Sequence, residues 1–444
     1  MPTQDWDASG SSPKRSKNAF ARFANGAPPL ARAPMRRVME ARQSLSISRA
    51  LLALLLVLSA CSTLGRHDAV PAAIQAEARV SDMPANIRYS VGDARQEAAL
   101  AQEFVRSWKR EGDHLASRGN RGSLPPATFL ALSGGGDDGA FGAGLLAGWT
   151  AAGSRPEFKL VTGISTGALI APFAFLGSAY DEKLKALYTH TSAADILETR
   201  WYLAAVTNDA MADTRPLRTL LRKHIDRAFL NAIADEYAKG RELWIATTNL
   251  DSRVRYIWNM TRIAVSQHPR ALDLFHSLMI ASAAIPGAFP PVMIDVEVGG
   301  RRYQEMHVDG GAMSQVFVYP IGLDFETLAT EHDAQRARTL YVIRNSRLDP
   351  DWAQVERRTL SIAARAISSL IHTQGVGDLY RIFLTAQRDG LDFNLAYIPA
   401  SFHQPHTKDF DPQYMRPLYA LGYAMAARGY PWEKAPPEYA TPQH

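Results

Sequence analysis

The stretch FLALSGGGDDGAFGAGLLAGW, residues 129–149, decides the fold. Its apolar run ends in Ser133 and three glycines, then re-enters an apolar pattern with helical spacing. A strand that passes through small residues straight into a helix is the building unit of a parallel α/β sheet. Such a turn gathers free backbone N–H groups at the positive end of a helix dipole, so it binds anions. Two anions fit. Gly134, Gly136 and Gly139 satisfy the G-x-G-x-x-G pattern for a dinucleotide pyrophosphate, and the same loop suits the oxyanion of an acyl-transfer intermediate.

The sequence around the loop favours the oxyanion. Asp137 and Asp138 would lie beside a pyrophosphate and repel it. The acidic residue that binds a nucleotide ribose should close the second strand about 20 residues on, whereas Glu157 opens that strand. The end of the strand is instead Gly163-Ile164-Ser165-Thr166-Gly167. A serine in G-x-S-x-G between a strand and a helix sits on a tight elbow with its hydroxyl exposed at the sheet edge. Two adjacent strand-to-helix turns of one sheet then bring the N–H groups of Gly134, Gly135 and Gly136 to face an acyl group attacked by Ser165. A serine needs a base, and the residue that suits is Asp309, in MHVDGGAMS, followed by Gly310 and Gly311.

Taken in order, the glycine loop, the G-x-S-x-G elbow and the D-G-G turn resemble the signature of the patatin-like phospholipase family. The block ASAAIPGAFPPV, residues 281–292, is also similar to one that such proteins carry before D-G-G. The resemblance spans roughly residues 125–437. It implies a three-layer α/β/α fold with a mainly parallel central sheet. It also implies a Ser165–Asp309 dyad without histidine, an oxyanion hole from Gly134 to Gly136, and no cofactor. One departure stands out: the family loop commonly carries a basic residue where this chain has Asp138. That predicts a preference for neutral or zwitterionic esters over anionic lipids. A triad of Ser165, an acid and His372 or His403 is the alternative within acyl transfer. His190, His224, His268 and His276 read as surface or core residues, and Trp201, Tyr202, Trp244 and Trp258 as core or rim packing. No Cys/His or carboxylate cluster has metal-ligand spacing.

Outward from these motifs, apolar runs alternate with helical patterns. ATFLALS, EFKLVTGIS, ELWIATTNL, RVRYIWNM and RTLYVIRNS read as strands. A helix is predicted in ARQEAALAQEFVRSWKREGDHLASRG. Another runs through FDPQYMRPLYALGYAMAARGYP, opened by Asp411 and Pro412 and closed by Gly429 and Pro431. SLMIASAAIPGAFPPVMIDV is nearly uncharged, but Pro286, Pro290 and Pro291 forbid a regular membrane-spanning helix.

The formal charge of +5 is concentrated at one end. Residues 1–60 hold nine Lys/Arg against three Asp/Glu, and the remainder holds 40 against 41, so nothing points to nucleic acid. Arginines precede ALLALLLVLSAC, an apolar run too short to cross a bilayer of about 30 Å. It ends at Leu58-Ser59-Ala60-Cys61, which resembles the lipobox of bacterial lipoproteins, and Cys61 is the only cysteine. The resemblance implies acylation at Cys61 and a bacterial envelope location, with the outer membrane favoured by Ser62. The expected organisation is a disordered extension and signal peptide over 1–60, a lipidated cysteine and tether over 61–95, and an acyl hydrolase domain over 96–440. The expected partner is membrane lipid. A non-catalytic lipid-binding or assembly lipoprotein of the same fold is the contrasting possibility.

Overall fold

Short strands, the central ones buried at nearly every residue, organise the protein around one mixed sheet. A computed structural model describes residues 65–199, 209–350 and 352–439, all within the compact unit Thr63–His444. Ten strands form the sheet: β1 (Arg79–Val80), β2 (Arg88–Ser90), β3 (Ala127–Leu132), β4 (Leu160–Gly163), β5 (Glu242–Asn249), β6 (Val254–Asn259), β7 (Val292–Val298), β8 (Arg301–Asp309), β9 (Arg338–Arg344) and β10 (Leu391–Tyr397). The strands β10, β9, β3, β4 and β5 lie side by side and parallel. Beyond β5 the sheet continues antiparallel, through β8, β7 and β1 on one branch and β6 and β2 on the other.

The helices used below are α1 (Ala94–Ser117), α2 (Gly139–Ala151), α3 (Thr166–Leu176), α4 (Ala271–Ser282), α5 (Thr359–Arg388) and α6 (Pro412–Ala427). Side chains alternate across a strand, so each parallel strand feeds two cores. Leu130, Leu132, Val161, Leu243 and Ile245 pack with α2, α3, α4 and α6. Phe129, Ala131, Leu160, Trp244 and Ala246 pack with α1 and the second half of α5. This is the expected three-layer α/β/α arrangement. Parallel strands buried on both faces need such uninterrupted apolar runs, which is why they were legible. α6 starts as expected, with the Asp411 carboxylate accepting from Gln413 N and Pro412 in the first turn.

The segment expected to be a tether is different over its described part. Val70, Val80, Ile87 and Tyr89 are buried. β1 pairs with β7 and β2 with β6, so residues 70–90 pack against the domain and contribute two short strands to its sheet. Strands of two and three residues carry no readable period, and their partners lie far along the chain. Cys61 and the apolar run before it lie outside the described residues, as do Trp201 and Tyr202.

Candidate active site

The site grows from the elbow between β4 and α3. Ser165 has φ 55° and ψ −126°, a backbone state that costs a non-glycine residue on the order of 1–3 kcal/mol and persists only where its surroundings enforce it. The flanking glycines allow the enforcement. A Cβ on Gly163 would stand 2.3 Å from the Gly167 carbonyl oxygen, and one on Gly167 would stand 2.3 Å from that of Leu132. Ser165 N–H donates to Ser282 Oγ at 3.1 Å, and the Ser282 hydroxyl donates to the Ala246 carbonyl at 2.7 Å. The elbow is therefore tied to α4 and β5.

Asp309 reaches the elbow through an edge of β5 that two strands share. One edge of β5 is occupied by β6 over Trp244–Asn249. The other is taken by β4 as far as Ile245, and then by β8 from Thr247 onward. Asp309 lies opposite Thr247, at the point where β4 has already turned into the elbow. Its carboxylate accepts the Gly311 N–H at 2.7 Å and is hydrogen-bonded to the Ser165 hydroxyl. Only 4% of the residue is exposed. Burial pushes the carboxyl up to about 7, outweighing the hydrogen bonds from Ser165 and Gly311, which favour the carboxylate.

The glycine loop lies over the same point. Gly134 is beside the serine, since a Cβ there would sit 3.1 Å from Ser165 Cβ. Its N–H is taken, however: it donates to the Gln315 carbonyl at 2.9 Å. The N–H groups of Gly135 and Gly136 have no acceptor among the described residues. Of the three glycines, two thus carry available donors and the first is a hinge fixed to the chain after the D-G-G turn. Gly135 has φ 155°, and a Cβ on it would fall 1.8 Å from the Asn345 carbonyl oxygen. Asn345, at the end of β9 and fully buried, locks the loop: its side chain donates to the Ser133 carbonyl at 2.9 Å and accepts from Gly142 N at 3.1 Å.

Asp137 and Asp138 are turned to a structural use. The Asp137 carboxylate accepts from His406 Nε2 and from Phe410 N, both at 2.8 Å, and that of Asp138 accepts from the Tyr414 hydroxyl at 2.5 Å. They fasten the segment before α6, and its first turn, to the glycine loop. Burial, with Asp137 adding to it, pushes the Asp138 carboxyl up to about 7. His406 is raised by the same cluster, chiefly through its hydrogen bond to Asp137.

Of the residues singled out in the sequence, Ser165, Asp309 and the glycines of all three motifs come together. The groups that act on the Asp309 carboxyl are Ser165 and the Gly311 N–H, and no histidine is among them. His276 is buried with Nε2 against the Ile225 carbonyl, and Trp244 and Trp258 are core residues. Asn345, Gln315 and Ser282 were not anticipated, because only tertiary packing gives them partners. Gln315 Nε2 donates to the Gly311 carbonyl at 2.8 Å and joins the D-G-G turn to the loop. A separate cleft of about 330 Å³, lined by Arg255, Phe317, Asp378 and Arg381 among others, contains neither Ser165 nor Asp309. Among the described residues, no three His, Cys, Asp or Glu side chains come together as metal ligands would.

Comparison with known proteins gives this geometry a context. Residues 130–320 match the family model of the patatin-like phospholipases, a span that holds the glycine loop, the elbow and Asp309. No curated protein sequence matches the chain. Among solved structures it is similar to VipD from Legionella pneumophila, at 12% identity over 69% of this chain and 67% of that one, with a TM-score of 0.35. It is also similar to human GIVD cytosolic phospholipase A2, at 10% identity and a TM-score of 0.30, covering 76% of this chain and 55% of the human enzyme.

Proposed function

We propose that this protein is a serine acyl hydrolase that cleaves carboxylic esters of membrane lipids. The observation that carries the reading is the buried Asp309 carboxyl, brought to the Ser165 elbow by the shared edge of β5 and raised by its burial above the ordinary carboxylate value. An ordinary carboxylate, with a pKa near 4, is a poor base for a hydroxyl; one raised towards 7 is a better one. Ser165 Oγ attacks the ester carbonyl as its proton passes to Asp309. The N–H groups of Gly135 and Gly136 take the oxyanion, and donors of this kind contribute about 2.7–4 kcal/mol each in acyl transfer. Asp309 returns the proton to the leaving alcohol, giving an acyl-enzyme and a lysolipid. Water then loses a proton to Asp309 as it attacks, and the fatty acid leaves with Ser165 regenerated.

The match to the patatin-like family model and the three motifs in their order support this reading. The lipobox-like sequence at Cys61 supports a lipid-anchored protein of a bacterial envelope, held where its substrate is concentrated. Asp138, in place of a basic residue, supports a preference for neutral or zwitterionic head groups.

The test is labelling of the full chain by a fluorophosphonate, with the modified peptide mapped by mass spectrometry. Labelling is expected at Ser165 and lost in Ser165→Ala. Asp309→Asn is expected to fold yet to lose roughly 10²- to 10⁴-fold in kcat on a soluble ester. A folded protein that takes no label in the presence of lipid would instead support a non-catalytic lipid-binding module.

A further inference from the structure

We infer that the first half of α5, with the segment that leads into it, is a docking surface for a lipid bilayer. The inference rests on the lipid-hydrolase reading above, because it is the proposed substrate that selects a bilayer as the occupant.

The starting observation is an inverted helix. In its second half α5 is ordinary: Leu379, Ile382, Phe383 and Ala386 are buried against the sheet. In the first half the half-buried residues are Ser361, Arg365 and His372. At 3.6 residues per turn these three fall within about 40° of one another, on the side that continues the buried face of the second half. The apolar residues Ile362, Ala363, Ala366, Ile367, Leu370 and Ile371 fill the opposite arc and are all exposed. Leu370 is 70% exposed, Ile367 56% and Ile362 52%; Trp352, just upstream, is 85% exposed. A surface helix in water normally buries its apolar arc and shows its polar one. Here the arrangement is reversed over about 15 Å of helix.

Two further observations indicate what covers this arc. The first is position. Gln374, at the end of the inverted half, is hydrogen-bonded to Gln315, whose amide also donates to the Gly311 carbonyl beside Asp309. Apolar exposure continues around the site. Met313 and Ile285 are each more than a third exposed; Met313 N–H donates to the Gly310 carbonyl, and Ile285 follows Ala284, whose carbonyl accepts from Asp309 N. The second is charge. From Trp352 into the arc the chain has Arg357 and Arg358 against a single acid, Glu356, which pairs with Arg358, while Arg365 lies on the side turned to the protein. An apolar arc with an exposed tryptophan and an excess of arginine is the composition of a helix that lies in the plane of a membrane interface. At about ten apolar-faced residues this half is too short to cross a bilayer, and no described helix is long and apolar enough to do so.

The experiment places one environment-sensitive fluorophore on the full chain in a Cys61→Ser background, at Leu370→Cys or, as a control, at Lys109→Cys on exposed α1. On phosphatidylcholine vesicles containing phosphatidylglycerol, emission from position 370 is expected to shift to the blue and to be quenched by brominated lipid, with no change at position 109. Ile367→Ser combined with Leu370→Ser is expected to lower vesicle hydrolysis at least tenfold and to keep hydrolysis of a short soluble ester within twofold of the parent. No shift at 370, or equal shifts at both positions, would overturn the docking surface, as would equal loss on both substrates. A change of oligomeric state in the double variant, without a change in vesicle binding, would assign the arc to a second copy and overturn it too. The reading of the site is tested separately: if Ser165→Ala leaves ester hydrolysis intact, that reading fails, and the fluorescence result still reports docking.

Discussion

At the scale of the residue, the decisive quantity is the ionisation of Asp309. In the proposed mechanism only its carboxylate accepts the Ser165 proton, so kcat/KM on a soluble ester is expected to rise with pH and level off above about 7. Asp138 is raised to about 7 as well, which makes Asp138→Asn the control: the acid limb should survive in that variant. A flat profile between roughly pH 5 and pH 8 would remove Asp309 as the base. The same burial costs stability. A carboxyl with a raised folded-state pKa stabilises the fold fully below its unfolded value near 4, and that contribution is lost as pH rises through about 7. Asp309 stood out in the sequence only through its place as the third of three motifs in order, since an aspartate before two glycines is by itself an ordinary turn. Ser282, Gln315 and Asn345 did not stand out, since a serine, a glutamine and an asparagine acquire meaning only from the backbone groups that packing sets opposite them.

At the scale of the element, the glycine loop owes its shape to β9. Asn345→Ala would leave the buried Gly142 N–H and Ser133 carbonyl without their partners. At about 1–3 kcal/mol for each unsatisfied group, a loss on the order of 3 kcal/mol in urea denaturation is expected. The proposed mechanism adds a fall in kcat larger than any change in KM, because the donors of Gly135 and Gly136 act on the transition state. Unchanged kcat in a destabilised Asn345→Ala would separate the loop from catalysis. The parallel strands were legible at this scale because doubly buried strands must be apolar throughout. The antiparallel branches were not: β7 alternates, but nothing in its own residues names β8 and β1 as neighbours. Nor did the glycine pattern disclose that Gly134 spends its N–H on Gln315.

At the scale of the whole molecule, the described residues just before α1, from Val70 to Ser90, pack into the domain. Arg88 on β2 forms a buried ion pair with Glu305 on β8, holding that carboxyl down at about 2 despite its burial. Arg88→Met would strand the carboxylate, and breaking a buried pair in this way costs about 3–5 kcal/mol. The loss should be present at neutral pH and shrink as pH falls from about 4.5 towards 2, since a depressed carboxyl stabilises only while it is ionised. Stability followed by urea titration across that range checks both the size and the direction.

The shared edge of β5 has a consequence for how such a protein is made. Ser165 and Asp309 are 144 positions apart, and they meet only because β8 completes an edge that β4 leaves half filled. Contacts so distant along the chain form late, after the entropy of closing the intervening loop has been met. A nascent chain leaving the ribosome thus carries the serine before the base exists, and before Gln315 and Asn345 can fix the glycine loop. In the proposed chemistry, synthesis itself is a safety catch: the growing polypeptide stays inert towards its host's own lipids until β8, and then β9, have joined the sheet.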